Sequence, residues 1–304
     1  FNKKSVHFNI SKDAHAAFRI ACFERSLSMQ EVFEEFVQQI LSESPHMLRL
    51  LDQVAENKKN KTKLVTLTAY SKNIASIIDK HCDLILVGDS LGSVLYNYRS
   101  TKEVSLKIMI EHSKSVRLGV KKSLMVVDMP YNTYKNSKEA LKNAKMIFKK
   151  TKCDAVKLEG GKKIYNIVKT LIKNKIPVMG HLGLLPQSAK NFRFKGRDIL
   201  ERTKILNDSK LLEEAGVFSI VLECVKTSLA KEITRTIKIP TIGIGASMHC
   251  DGQVLVTDDL IGLNDINARF VKKFGNVKKE INDAVLAYKK EVIKSKFPKK
   301  KHSY

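Results

Sequence analysis

Asp89, Asp128 and Glu159 each stand where a short apolar run ends, in Leu84-Ile-Leu-Val-Gly-Asp89, Leu124-Met-Val-Val-Asp128 and Ala155-Val-Lys-Leu-Glu159. A single acidic residue in that position can be no more than a helix N-cap or a turn former. Three of them, spaced about 30 to 40 residues apart, match the repeat length of a strand-helix unit. If the runs are neighbouring parallel strands, three hard oxygen donors meet at one end of a sheet. A carboxylate-only set of that kind selects Mg²⁺ or a similar hard cation over zinc.

The elements that would carry these groups are legible from residue 64 onward. Strand-like segments rich in Val, Ile and Leu fall at 64–69, 83–88, 123–128, 154–159, 176–181, 218–223, 240–245 and 252–257, each short enough for a buried parallel strand. Helical patterns lie between most of them, at 71–80, 102–118, 137–151, 162–174, 203–215 and 227–236. Eight strands in one β/α alternation predict a closed (β/α)₈ barrel of the TIM type. Two last helices, near 264–274 and 276–294, are expected to close its outside. In this fold the functional groups collect at the C-terminal ends of the strands. Here those ends read Asp89-Ser90, Asp128, Lys157-Leu-Glu159-Gly-Gly161, Gly180-His181-Leu-Gly183, Glu223 and Gly243-Ile-Gly245.

The N-terminal part follows another pattern. Val6, Phe8 and Ile10 alternate with polar residues as in an amphipathic strand. A helix is predicted over 11–25 with Ser11 as N-cap, and a second begins at Ser28-Met-Gln-Glu31, a capping box. Strand, helix, turn, helix over residues 3–42 resembles a ribbon-helix-helix DNA-binding domain, in which His7 and Asn9 would face the bases. An oligomerisation or capping appendage is the competing reading. The expected division is 1–43 for this appendage, 44–61 for a linker or helix extension and 62–304 for the barrel.

The formal charge of +24 would ordinarily indicate nucleic acid. Residues 1–60, however, hold eight basic and eight acidic side chains, so the excess lies in the barrel region. Only ten of the 55 basic residues are Arg, and lysine spread over helices without interleaved aromatics reads as a solvated surface. No apolar run approaches the roughly 18 residues of a membrane span, and charged residues interrupt the first twenty positions, which speaks against a signal peptide. The five cysteines are odd in number, scattered and without a C-x-x-C pair. They are expected to be reduced thiols in a cytoplasmic protein.

Gly88-Asp-Ser90-Leu-Gly92 satisfies the G-x-S-x-G pattern of a serine hydrolase. A serine nucleophile needs a histidine base, supplied in the G-D-S-L families by D-x-x-H. None of the eight histidines here has an Asp three residues before it, so the motif is not read as a nucleophile elbow.

Taken in order, Val87-Gly-Asp-Ser-Leu-Gly92, Asp128-Met-Pro130, Val156-Lys-Leu-Glu-Gly-Gly161, Gly180-His-Leu-Gly-Leu-Leu-Pro-Gln-Ser188, Leu222-Glu-Cys-Val225 and Ile242-Gly-Ile-Gly-Ala246 resemble the ketopantoate hydroxymethyltransferase family over about 63–304. The resemblance implies a Mg²⁺-dependent enzyme of pantothenate synthesis that uses 5,10-methylenetetrahydrofolate and 3-methyl-2-oxobutanoate and makes 2-dehydropantoate. It implies metal ligation by Asp89, Asp128 and Glu159, keto-acid binding by Asp89, Ser90, Asp128 and Lys157, and proton abstraction by Glu223. It also implies a homo-oligomer, commonly a decamer. His181 is open between a substrate or folate contact and a hydrogen-bonded structural histidine. The chain departs from the family pattern at Asn97-Tyr-Arg-Ser-Thr101, in the short loop Ala189-Lys-Asn-Phe-Arg-Phe-Lys-Gly-Arg197 and at Ser247, all bordering the barrel mouth. The alternative from another class is a DNA-binding regulator that uses the N-terminal segment, with the barrel as a ligand sensor.

Overall fold

A computed structural model of the chain describes residues 10–24, 27–33, 45–189, 193–266 and 268–304. Eight parallel strands close into a barrel in sequence order: β1 (Leu64–Thr68), β2 (Leu84–Val87), β3 (Leu124–Asp128), β4 (Ala155–Glu159), β5 (Val178–Gly183), β6 (Ser219–Glu223), β7 (Thr241–Ile244) and β8 (Gly252–Leu255), with β8 pairing back to β1. The (β/α)₈ expectation is met.

Strands β2 to β7 are buried on both faces, whereas β1 and β8 each expose one residue, Val65 and Gln253; period-two alternation divides the strand residues between two apolar layers. Leu64, Leu84, Leu86, Leu124, Val126, Ala155, Met179, Val221, Ile242 and Val254 form one cluster inside the barrel, joined by Leu50 and Val54 of the helix Pro45–Lys59. The alternate residues, such as Ile85, Val87, Met125, Val127, Val156, Leu158, Ile220 and Leu222, pack outward under the helices. Each such side chain contributes about 1.5 to 3 kcal/mol by leaving water.

The helices form where cap chemistry and an apolar stripe coincide. Ser105, Asn136 and Asp198 accept backbone N–H bonds from Ile108, Glu139 and Glu201 at the starts of Leu106–Gly119, Ser137–Thr151 and Ile199–Ala215. The last of these begins before the expected 203, because Ile199 and Leu200 are exposed and break the amphipathic pattern of the first turn. Asp79 pins the loop before β3 by accepting backbone N–H bonds from Lys121, Lys122 and Ser123.

The closing helices differ from expectation. Among the described residues of 264–274 there is no helix; Asn264 and Asp265 offer side-chain competitors to helical bonding, and Asn264 Nδ2 donates to Asp259 Oδ1. A helix does form at Val277–Ile293, yet none of its residues is buried, and Ile281, Val285, Leu286, Tyr288 and Ile293 are exposed. It does not close the barrel of its own chain.

The chain divides into two compact units, Phe1–Arg49 and Leu50–Tyr304. In the first, the helix Lys12–Glu24 is capped by Ser11 Oγ, which accepts from Ala14 N. Ser28 and Glu31 form the expected reciprocal box, with N–H to side-chain distances of 2.8 and 3.1 Å. The expected strand, apart from Ile10, and with it His7 and Asn9, lies outside the described residues. Among the described residues all five cysteines are free, and no helix is long and apolar enough to cross a membrane.

Candidate active site

The alternation that builds the barrel interior also aims its chemistry. On β3 the inward series Leu124, Val126 continues to Asp128; on β4 Ala155 leads to Lys157 and Glu159; on β5 Met179 leads to His181; on β6 Val221 leads to Glu223. Asp89 and Ser90 arrive differently, since β2 ends at Val87 and the chain turns at Gly88. Leu91 N donates to Gly88 O, and Asp89 N donates to Asp128 Oδ2 at 3.0 Å. A Cβ on Gly88 would lie 2.8 Å from Ser90 Oγ, so a side chain there would have to displace the Ser90 hydroxyl. All seven residues line one cavity of about 640 Å³ at the C-terminal mouth.

The contacts within the site are dense. Lys157 Nζ lies 3.2 Å from Asp128 Oδ1 and 3.2 Å from His181 Nδ1. His181 Nδ1 is 3.5 Å from Glu159 Oε1, and its Nε2 is 3.2 Å from Glu223 Oε2. Asp89, Asp128, Lys157, Glu159 and His181 are buried, whereas the Glu223 side chain keeps 19% of its surface exposed. Of the four carboxylates, Glu223 is the one open to a bound molecule.

Burial and crowding shift the titration of these groups. Burial first, then the charge of Asp128, pushes the Asp89 carboxyl up to about 8. Asp128 also moves upward, chiefly by burial and against the pull of Lys157. Burial alone would lower the Lys157 ammonium, but the carboxylates around it, led by Asp128, outweigh that cost and its shift is upward. Burial and Lys157 likewise push the His181 imidazole down, and its contacts with Glu159 and Glu223 win, lifting it to about 9.

The donor set suits a hard divalent cation. Asp89, Asp128 and Glu159 are hard oxygen donors packed together out of water, and Asp89 and Asp128 bind protons too readily for want of compensating charge. Asp128 Oδ1, although close to Lys157, has no aligned hydrogen-bond partner. Among the described residues, however, no group of three or more His, Cys, Asp or Glu side chains is arranged to hold an ion as it stands. The carboxylates are engaged by internal donors instead, with Asp89 Oδ2 accepting from Gln187 Nε2 and Glu159 Oε2 from Gln187 N.

Gln187 and two tyrosines are site residues that the sequence reading did not single out. Tyr134 Oη donates to Gln187 Oε1, and Tyr70 Oη lies 2.8 Å from Ser90 Oγ. Gln187 stands within the Gly180…Ser188 block already noted, a position that could have drawn attention to it. Tyr70 follows β1, whose end, Thr68-Ala-Tyr70, carries no charged residue to mark it. Tyr134 lies in the stretch after Pro130, with no pattern to mark it.

A profile of the ketopantoate hydroxymethyltransferase family matches residues 50–300. A relative from Pelagibacter ubique (strain HTCC1062), 3-methyl-2-oxobutanoate hydroxymethyltransferase, is 78% identical over 247 residues, covering 81% of this chain and 96% of that protein. The protein of the same name from Rhizobium etli (strain ATCC 51251 / DSM 11541 / JCM 21823 / NBRC 15573 / CFN 42) is 48% identical over 246 residues, covering 79% of this chain and 90% of its own length. Among solved structures, 2,3-dimethylmalate lyase of the PEP mutase/isocitrate lyase superfamily superposes with a TM-score of 0.54 at 9% identity, covering 84% of this chain and 91% of that one. Phosphonopyruvate hydrolase complexed with oxalate and Mg²⁺ also gives 0.54 at 9% identity, with 83% and 93% covered. At that identity the likeness concerns the fold.

Proposed function

Since the chain belongs to the ketopantoate hydroxymethyltransferase family and is an enzyme of that class, we propose that it transfers the one-carbon unit of 5,10-methylenetetrahydrofolate to C3 of 3-methyl-2-oxobutanoate, giving 2-dehydropantoate. The observation that carries this reading is the placement of a partly open carboxylate, Glu223, across one cavity from Asp89, Asp128 and Glu159, with Lys157 and His181 between them.

Making C3 nucleophilic requires loss of a proton from carbon, with the electron pair delocalised onto the keto oxygen. Glu223 takes that proton. The Lys157 ammonium offsets the substrate's negative charge, and Ser90, held by Tyr70, donates a hydrogen bond to a substrate oxygen. His181 Nε2 lies 3.2 Å from Glu223 Oε2 without an aligned hydrogen bond, and places positive charge beside the base. Asp89, Asp128 and Glu159 would hold a Mg²⁺ ion, which would supply Lewis acidity for the charge that develops on the keto oxygen. Water adds to the donor's methylene carbon and both its C–N bonds to folate break, leaving tetrahydrofolate and a bound formaldehyde equivalent; C3 then bonds to that carbon, and its oxygen takes up a proton to become the new hydroxyl. The wide, partly aromatic outer mouth, with Tyr98, Phe194 and Phe270 on its walls, leaves room for the folate beside the small keto acid.

The test is proton NMR in D₂O of 3-methyl-2-oxobutanoate with enzyme and tetrahydrofolate, comparing Mg²⁺ with EDTA. Metal-dependent loss of the C3 proton signal is expected. No exchange in either condition would overturn the proposal.

A further inference from the structure

Gln187 reaches the site from the loop after β5, not from any strand that bears a carboxylate, and is 3% exposed. Both polar atoms of its side-chain amide and its backbone N–H are committed. Its Nε2 donates to Asp89 Oδ2 at 2.8 Å and to Met129 O at 3.0 Å; its backbone N donates to Glu159 Oε2 at 3.1 Å; its Oε1 accepts from Tyr134 Oη at 2.5 Å. The bonding fixes which way the amide points. A carboxylate oxygen and a carbonyl can only accept, so the NH₂ must face them, and the tyrosine hydroxyl closes the other side. Tyr134 Oη also receives Glu159 N at 3.4 Å. One neutral residue therefore ties together the ends of β2, β3 and β4, the first two through its side chain and the third through its backbone N–H and Tyr134.

Packing alone does not call for this arrangement. A buried amide is costly unless all its bonds are made, and an apolar side chain of the same length would fill the space without that demand. What the amide adds is a donor that fixes the Asp89 carboxylate against Met129 O and a link through Tyr134 to Glu159 N, while the backbone N–H of the same residue holds Glu159 Oε2; neither carboxylate is neutralised. Outer groups that orient ligating carboxylates work in this way.

We propose that Gln187, aligned by Tyr134, is a positioning residue that sets the Asp89 and Glu159 carboxylates for binding a divalent cation. This rests on the metal reading given above.

The test is calorimetric titration of Mg²⁺ into the full-length protein without substrate, for wild type, Gln187→Met, Tyr134→Phe and the double variant, with melting in EDTA as a check of folding. Gln187→Met is expected to weaken Mg²⁺ binding about 10- to 100-fold, the range for outer-shell partners of metal ligands. Tyr134→Phe should weaken it in the same direction by a smaller factor and lose its effect in the Gln187→Met background, because it acts through the amide. Unchanged or tighter Mg²⁺ binding by Gln187→Met overturns the proposal, tighter binding meaning that the amide occupies the ion's place. Fully additive effects in the double variant also overturn it. If Gln187→Met does not fold, Tyr134→Phe decides alone, and wild-type affinity in that variant counts against the proposal. Wild type that binds no Mg²⁺ brings down the metal reading itself, and that failure is visible before any variant is compared.

Discussion

Glu223→Gln removes a proton acceptor while keeping the size and shape of the side chain. Its expected cost follows from what the neighbouring carboxylates are doing. Asp128 receives Asp89 N and lies beside Lys157; Asp89 receives Gln187 Nε2; Glu159 receives Gln187 N and faces His181. None of the three is free to replace the missing base. Positioned general bases contribute roughly 10²- to 10⁴-fold, and the lack of a substitute places this site in the upper half of that range. The C3 exchange rate should fall by about 10³- to 10⁴-fold, or roughly 4 to 5.5 kcal/mol of barrier. The NMR exchange assay measures this directly, and Mg²⁺ calorimetry of the same variant should give wild-type affinity, because Glu223 stands on the opposite side of His181 from Glu159. Exchange within tenfold of wild type would show that the base lies elsewhere. Loss of Mg²⁺ affinity along with exchange would make Glu223 a ligand instead.

Two further variants test the electrostatics. Asp89→Asn should weaken Mg²⁺ binding by more than about tenfold and yet raise the melting temperature in EDTA at alkaline pH. The reason is that the Asp89 pKa is raised by burial and Asp128 to about 8, above its unfolded value near 4. The stability carried by the protonated acid is thus complete below about pH 4 and is lost as pH rises through about 8, whereas Asn has no proton to lose. A variant melting below wild type at high pH in EDTA, or gaining as much from Mg²⁺ as wild type does, would refute the assignment. Asp79→Ala should cost about 2 to 4 kcal/mol in urea unfolding at neutral pH, since it orphans the backbone donors of Lys121, Lys122 and Ser123. Burial raises the Asp79 pKa, but those donors outweigh burial and leave it lowered, so the contribution is present above the unfolded value and lost as pH falls through the folded one. A difference that persists undiminished in strong acid would rule out the carboxylate as its source.

The barrel was legible because most of its strands, β2 to β7, are buried on both faces. Leu84-Ile-Leu-Val87 and Leu124-Met-Val-Val127 read as strands without the help of polar alternation. The helices Ser137–Thr151 and Thr227–Thr236 fell where the pattern put them. Legibility failed where apolar residues serve no intrachain core. Ile199 and Leu200 hid a helix start, and the apolar residues of Val277–Ile293 predicted a closure that the chain does not make with itself. Hydrophobic spacing shows that a face exists but not what covers it.

The site divides along the same physical line. Asp128, Lys157, Glu159, His181 and Glu223 share the parity of the interior residues on their own strands, so one periodicity both builds the core and delivers these groups to the mouth. Asp89 escapes that rule and depends on the Gly88 turn, which G-D-S-L spelling made look like a hydrolase elbow. Gln187 and Tyr134 escape it altogether, because loops position them and loop geometry leaves no period in the chain. Strands therefore set which reactive groups are present, while the loops set how those groups are oriented. Substitutions at Gln187 and Tyr134 should accordingly tune metal affinity within an intact barrel, whereas an apolar replacement for Lys157 would leave Asp128 and its neighbours as uncompensated charge at the barrel's end.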